Sequence, residues 1–279
     1  VAEVGIIMRT QSRPMLLERA IQSVCDQSFK DWELVIVREN NSPDTVDQVL
    51  ESLSPENRSK VRHIHLQEAV TEGAALNAGR MLLESRFVLV HDDGNSLHPE
   101  FLERTTGYLK APAHPSVKGV VTGTEQVFER VEEASIETTS RAPFNDWLQH
   151  ISMRRLLAEN VIASIAFLYD REACEKAGGF DESLPVLYDW EFYVRFLTLY
   201  EIAVLPEVLA FMHQRGEPSD AHEHAQRRLF FDNLLRNRWL RSDIQNGRTG
   251  PGVIANEARM LRNLTQKFKK RSLRLFKKA

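Results

Sequence analysis

The chain has 279 residues, 42% hydrophobic and 27% charged, with a formal net charge of −3. An ordinary hydrophobic fraction and a small net charge exclude a disordered chain, and two cysteines, Cys25 and Cys174, exclude a small disulfide scaffold. No run of about 18 apolar residues reads as a membrane span, no signal-peptide pattern opens the sequence, and the length suits one large domain or one domain with a small appendage.

The first hundred residues alternate apolar runs with helical patterns. VGIIM (residues 4–8) is continuous and apolar, as in a strand buried on both faces. Pro14 opens a helix with Leu16, Leu17, Ala20, Ile21 and Val24 on one face. ELVIV (33–37) predicts a second buried strand, and Ser42 or Asp44 in the loop ENNSPD caps a helix through Leu50. VRHIHL (61–66) predicts a third strand, GAALNAGRMLLES (73–85) a third helix, and RFVLV (86–90) a fourth strand that stops at HDDGN. This alternation predicts a mostly parallel sheet with helices on both faces.

Beyond residue 100 the rhythm changes. GVVTGTEQVFERV (119–131) predicts strand or hairpin, NDWLQHISMRRLLAEN (145–160) a helix, and SIAFLYD (164–170) a strand. REACEKAGGF (171–180) predicts a short helix ended by glycines, and DWEFYVRFLTLY (189–200) a helix with Phe192, Phe196 and Leu199 on one face. IAVLPEVLAFMHQ (202–214) reads as strand, turn at Pro206, and strand; the region from about 221 is helical apart from NGRTGPG (246–252).

In an open parallel sheet, ligands bind beyond the carboxyl ends of the strands. Arg9-Thr10-Gln11, Arg38-Glu39-Asn40 and His91-Asp92-Asp93 follow strands one, two and four, and so converge on one crevice. Neither GxxxxGK[ST] nor a GxGxxG after strand one is present, so a bound diphosphate needs charge compensation from a metal or from side chains. HDDG (91–94) offers adjacent carboxylates for a hard divalent cation, or two loop aspartates that cap a turn. Asp189 opens a helix, where it is either an N-cap or a general base aimed into the crevice.

Taken in order, VGIIMRTQSRPMLLERAIQSVCDQSFKDWELVIV (4–37), NNSPD (40–44), LNAGR (76–80), HDDGNSLHPEFLE (91–103), AGGFDESLP (177–185) and DWEFYVRFL (189–197) resemble an inverting family-2 glycosyltransferase of GT-A fold. The resemblance covers residues 4 to about 215. It implies a Rossmann-like, mostly parallel twisted sheet with flanking helices over residues 1–220, the nucleotide half about 1–100 and the acceptor half about 101–220. A helical extension with a basic amphipathic tail then fills 221–279.

The resemblance also implies roles. Asp189 is the base that deprotonates the acceptor hydroxyl. Arg9, Thr10, Glu39, Asn77, Asp92, Asp93 and Arg215 hold a UDP-, dTDP- or GDP-linked sugar donor. A carboxylate at Glu39 accepts from a base ring N–H, which uracil, thymine and guanine all offer. Asp93 and His213 are the candidate ligands of Mn²⁺ or Mg²⁺, and Trp190 and Glu191 meet a glycan or lipid-linked acceptor. Arg215 is placed as a fixed cation for the departing phosphate. Asp181 and Glu182 read as solvent-facing turn acids.

Two departures stand out. Counted back from Pro99, the family's metal-binding acid falls on Gly94 and the next acid on Asn95; Arg38-Glu39 replaces the commoner acidic pair after strand two. Three outcomes follow for the metal. Asp93 shifts to bind the ion, arginine and histidine serve the leaving group without it, or the domain binds nucleotide or glycan with weak or no transfer. A phosphohydrolase built on HDD is a third class, which predicts phosphate release from simple esters.

The near-zero charge conceals an asymmetry. Residues 256–279 carry nine Lys/Arg and one acid, a charge of +8, which leaves −11 on the rest. Leu261, Leu264, Phe268, Leu275 and Phe276 share a broad helix face among those cations, which suits an anionic membrane surface; the alternatives are a solvated helix on the body or a linker. Nucleic acid is not an expected partner of an acidic body without a reading motif. The family resembled places such enzymes in the cytoplasm, peripheral at the inner face of the cytoplasmic membrane, in bacterial surface polysaccharide synthesis.

Overall fold

The structure, a computed structural model, describes residues 1–11, 13–39, 45–66, 70–132, 135–215 and 221–250, with the side chains at 39, 45, 132 and 221–224 outside that description. The amino-terminal half runs β1 (Val4–Thr10), α1 (Pro14–Cys25), β2 (Trp32–Glu39), α2 (Thr45–Glu51), α3 (Pro55–Ser59), β3 (Val61–Leu66), α4 (Glu72–Arg80) and β4 (Phe87–Asp92). Then follow β5 (Ser96–Leu97), α5 (Phe101–Lys110), β6 (Val117–Glu132), β7 (Ser135–Pro143), α6 (Met153–Ala158), a 3-10 turn (Ser164–Ala166), β8 (Phe167–Asp170), α7 (Arg171–Ala177), α8 (Tyr188–Leu199), β9 (Glu201–Arg215) and α9 (Ala221–Gln245).

The strands form one sheet in the order β3-β2-β1-β4-β8-β6-β9-β5, with β7 paired to β6. β3, β2, β1 and β4 are mutually parallel. β8 runs against both β4 and β6, and β6 is parallel to β9. β1, β4, β6 and β9 therefore all point their carboxyl ends to one edge. The continuous apolar runs are explained by burial on both faces: Ile6, Ile7 and Met8 of β1, Leu34 to Val37 of β2, and Val88 and Leu89 of β4 are fully inside. Each such side chain contributes about 1.5–3 kcal/mol on leaving water.

Several elements differ from their expected extents. The helix expected over 73–85 stops at Arg80, because the chain turns back to bring Leu83 and Ser85 beside Gly5. The helix expected over 145–160 forms only at Met153–Ala158. Ahead of it, Asn145 is buried and accepts from Thr124 N at 2.9 Å, so its side chain holds a loop in place of a helical turn. The turn expected at Pro206 is instead an irregularity inside one continuous strand, where the register slips between Leu205 and Val208. Proline lacks the ladder N–H, and the slip removes the need for it.

α8 is pinned to the sheet by aromatic packing. Tyr169 and Phe192 rings lie 5.4 Å apart, and Phe167 and Phe196 meet edge to face at 5.5 Å; such pairs add about 1 kcal/mol each beyond area burial. Gly178, in the left-handed region at φ 89, ends α7 as the glycine pair requires.

The chain divides into two compact units, residues 1–224 and 225–279. The second begins inside α9, where Arg236 and Asp232 pair one turn apart at 2.9 Å. The basic stretch 256–279 and the loop 40–44 lie outside the described residues. Among the described residues, no helix is long and apolar enough to cross a membrane.

Candidate active site

Four strand ends supply the polar groups of one crevice. β1 ends in Arg9-Thr10, β4 in Asp92 followed by Asp93, β6 carries Glu129, and β9 ends in His213 and Arg215. Glu129 stands opposite Arg215 in the β6–β9 register. Arg13 and Arg19 join them from the start and first turns of α1, whose beginning is fixed by Pro14.

Asp93 is almost fully buried. Its Oδ2 accepts from Thr10 Oγ1 at 2.7 Å and from Gln11 N at 3.1 Å, and its Oδ1 is held by Arg13 Nη2. Glu129 is also buried. It accepts from Arg19 Nη1 at 2.5 Å and from His213 Nδ1 at 2.6 Å, with Arg215 Nη2 at 3.4 Å. Burial alone would raise the Glu129 carboxyl; the hydrogen bond and charge of Arg19, with the His213 hydrogen bond, overcome it and hold the group below its usual range. Burial first, then the Arg19 charge, push His213 down to about 4 despite Glu129 beside it. His213 is thus neutral near pH 7. The Glu129 acceptor assigns its proton to Nδ1, and Nε2 then accepts from Ser96 Oγ at 2.7 Å.

At Gly94 the two clusters meet. Arg19 and Arg215 both donate to its carbonyl, at 3.0 and 2.8 Å. A Cβ there would stand 3.2 Å from Arg215 Nη1 and 3.8 Å from Arg13 Nη2. Desolvation and the charges of Arg19 and Arg13 lower the Arg215 guanidinium from its ordinary value, against the pull of Glu129.

Asp189 lies in the first turn of α8, where the helix dipole favours negative charge. Asn160 Nδ2 donates to its Oδ2 at 3.0 Å, and Asn160 is itself fixed by Ile162 N. The residue before the helix, Leu187, has φ 65, the one positive φ at a non-glycine position among the described residues. That conformation costs about 1–3 kcal/mol. Tyr188 is raised well above the usual phenol range, by burial and then by the charges of Asp92, Glu72 and Asp189. The carboxylates of β4, α4 and α8 therefore share one electrostatic neighbourhood.

Several expected site residues have other work. Thr10 is buried, with its hydroxyl on Asp93, so it positions that carboxylate. Arg9 pairs with Glu72 at 3.1 Å and lies 3.5 Å from Asp92. Asn77, expected at the donor, spends its amide on the 180–182 turn. Nδ2 donates to Phe180 O and Glu182 Oε1, and Oδ1 accepts from Phe180 N. Glu182 is accordingly a partner of Asn77, while Asp181 accepts from Ser183.

Trp190 does not line the crevice as expected. It is 2% exposed and its indole N–H donates to Leu156 O at 2.6 Å. Glu191, the other expected acceptor contact, is buried and holds Arg195, whose other N–H groups bind the carbonyls of Ala177 and Gly179 at the end of α7. Asp93 and His213 do not compose the expected metal site either. Both carboxylate oxygens of Asp93 and both ring nitrogens of His213 are engaged by protein groups. Glu39 closes β2 beside Leu66 of β3, but its side chain lies outside the described residues.

Arg13, Arg19 and Glu129 were not among the residues singled out by sequence. Arg13 carried a usable signal, because it immediately precedes the proline that starts α1. Glu129 sits in an alternating strand and carried none. A hollow of about 550 Å³ lined by Glu3, Asp31, Arg86 and Arg171 lies at the opposite, amino-terminal ends of β1, β2 and β4, away from this chemistry.

The mostly parallel sheet with flanking helices is a GT-A fold. The sequence pattern of glycosyl transferase family 2 matches residues 5–178, and the chain belongs to that family. It is 23% identical over 234 residues to the uncharacterized glycosyltransferase YwdF of Bacillus subtilis strain 168, covering 83% of this chain and 82% of that one. Similar solved structures include S. aureus TarS 1-349 in complex with UDP-GlcNAc, with TM-score 0.59, 17% identity and 77% of this chain covered. Another is the mannosyltransferase PcManGT from Pyrobaculum calidifontis in complex with GDP-Man and Mn²⁺, with TM-score 0.59, 18% identity and 81% of this chain covered. The chain spans 60% and 61% of the lengths of those two.

Proposed function

We propose that this protein transfers a sugar, with inversion, from a UDP-, dTDP- or GDP-linked donor to a hydroxyl of a glycan or lipid-linked acceptor, with Asp189 as the general base. The observation that carries this reading is the build of the α8 start. A carboxylate follows a strained backbone at Leu187, is tethered by Asn160, and shares with Asp92 and Glu72 the electrostatic neighbourhood of Tyr188. Strain held by a packed helix is a common companion of a positioned reacting group.

In this reaction the acceptor oxygen attacks the anomeric carbon from the face opposite the nucleotide. Its proton passes to Asp189. The anomeric C–O bond breaks, and its electron pair goes to the phosphate oxygen, whose growing charge Arg215 meets. Asp92, partly exposed at the end of β4, is the carboxylate that accepts from donor hydroxyls in this reading, which its exposure supports. Residues 1–220 form the catalytic domain, and the acceptor approaches from the half that carries α8.

Replacing Asp189 by Asn keeps the shape and the Asn160 neighbour but removes the base. The expected outcome is a loss of about 10²–10⁴-fold in turnover with donor affinity retained. Steady-state kinetics beside calorimetric donor binding read both quantities. Wild-type turnover in Asp189→Asn would exclude the base role, and donor binding without turnover in the wild type would favour a domain that only binds nucleotide or glycan.

A further inference from the structure

Among the described residues, the two expected ligands of a divalent cation do not fit one as they stand: Asp93 is ringed by Thr10, the Gln11 amide and Arg13, and His213 bridges Glu129 and Ser96, while Asp92 lies 3.5 Å from Arg9. The position where the family resembled carries an acid is Gly94, and the space beside it holds the guanidinium ends of Arg215 and Arg13.

The charge balance around Gly94 is unusual. Among the described residues, Arg13 pairs with Asp93, and Arg19 and Arg215 share Glu129, so three guanidinium groups meet two carboxylates. The carboxylates are the buried members, at 3% and 2% exposure, whereas Arg13 and Arg215 reach solvent at 46% and 22%. The acids thus act as a fixed base beneath cations that open to the crevice. Holding guanidinium groups together is unfavourable unless an anion completes the set. Planar N–H forks suit phosphate oxygens, and a diphosphate offers several at once.

We propose that Arg13 and Arg215 hold the donor's diphosphate in place of a divalent cation. This inference rests on the nucleotide-sugar reading above and deepens it. Arg19 and Glu129 are positioning residues, since they fix Arg215 and the Gly94 carbonyl without facing the ligand.

The test is calorimetric titration of the full chain with UDP, dTDP and GDP, in EDTA and in Mn²⁺. At least one diphosphate binds in EDTA, and its affinity changes by less than about threefold in Mn²⁺. Arg13→Gln and Arg215→Gln each lose about tenfold or more for that diphosphate, the scale of one charge-assisted hydrogen-bonding partner. Their affinity for the matching nucleoside stays at the wild-type level, which separates phosphate binding from a general loss of structure. Arg13 is half exposed, so that variant remains informative if Arg215→Gln fails to fold. Binding that requires Mn²⁺, or variants that bind diphosphate as wild type, would overturn the guanidinium assignment and leave the donor reading standing. Absence of binding to all three diphosphates in both buffers would overturn both.

Discussion

Asn77 shows how a residue can belong to a family pattern for reasons of packing. Its amide makes three hydrogen bonds to the 180–182 turn, so LNAGR and AGGFDESLP occur together because they are one structural clasp. Asn77→Ala leaves Phe180 N without its acceptor, at about 1–3 kcal/mol. The expected outcome is a lowered melting temperature with unchanged diphosphate affinity in the folded fraction; a weakened diphosphate affinity at full stability would return Asn77 to the donor site. His91 gives a second outcome at this scale. Burial, opposed by its hydrogen bond to the Asp92 carbonyl and by the Asp93 charge, lowers it from 6.5 to about 4. Its unfolded form therefore binds a proton that the folded form refuses, between about pH 6.5 and pH 4. Stability is full above that window and falls as the pH drops through it, by about 3 kcal/mol for this group. His213 acts in the same direction. Thermal unfolding from neutral to acid pH checks this, and a flat profile across the window would contradict the buried neutral His91. The carboxylates and Arg215 were legible as site candidates because their positions follow strand ends. Arg19 and Glu129 were not, because charge pairing across 110 residues of sequence leaves no local pattern, and Arg13 was marked only by its place before Pro14.

At the scale of elements, buried parallel strands were the clearest part of the sequence. Runs such as ELVIV have no polar face, and burial on both sides is the only arrangement that accounts for them. Helix ends were less clear, since tertiary contacts set them. α4 stops where the chain must return beneath β1, and the 145–160 segment yields to the side-chain bonds of Asn145. α4 also approaches the sheet closely. A Cβ at Gly79 would come within 2.6 Å of Ile7 and 2.9 Å of Val37. Gly79→Val must push α4 off β1 and β2, a cost of about 1–3 kcal/mol. The denaturant midpoint is expected to fall with an unchanged slope, and wild-type stability in this variant would contradict the packing. α8 is the element that carries the proposed base. Its aromatic face fixes the helix on β8, and that rigidity sustains the Leu187 backbone that presents Asp189.

Over the whole molecule, the net charge of −3 divides into a body of −11 and a stretch 256–279 of +8. Much of the body's charge is ordinary surface. At the strand ends, acids instead organise arginines, Asp93 holding Arg13 and Glu129 holding Arg19 and Arg215, the groups proposed to meet a diphosphate. The parallel direction of β1, β4, β6 and β9 makes this possible by bringing four distant segments to one edge. The most direct measurement of the account is donor turnover in EDTA, following by proton NMR the anomeric configuration of the sugar first released to water or to an acceptor. Wild-type protein is expected to release nucleoside diphosphate without added metal and to give the inverted anomer, and Asp189→Asn is expected to give neither. A retained anomer, or undiminished turnover in Asp189→Asn, would contradict the central claim that Asp189 drives a single in-line displacement.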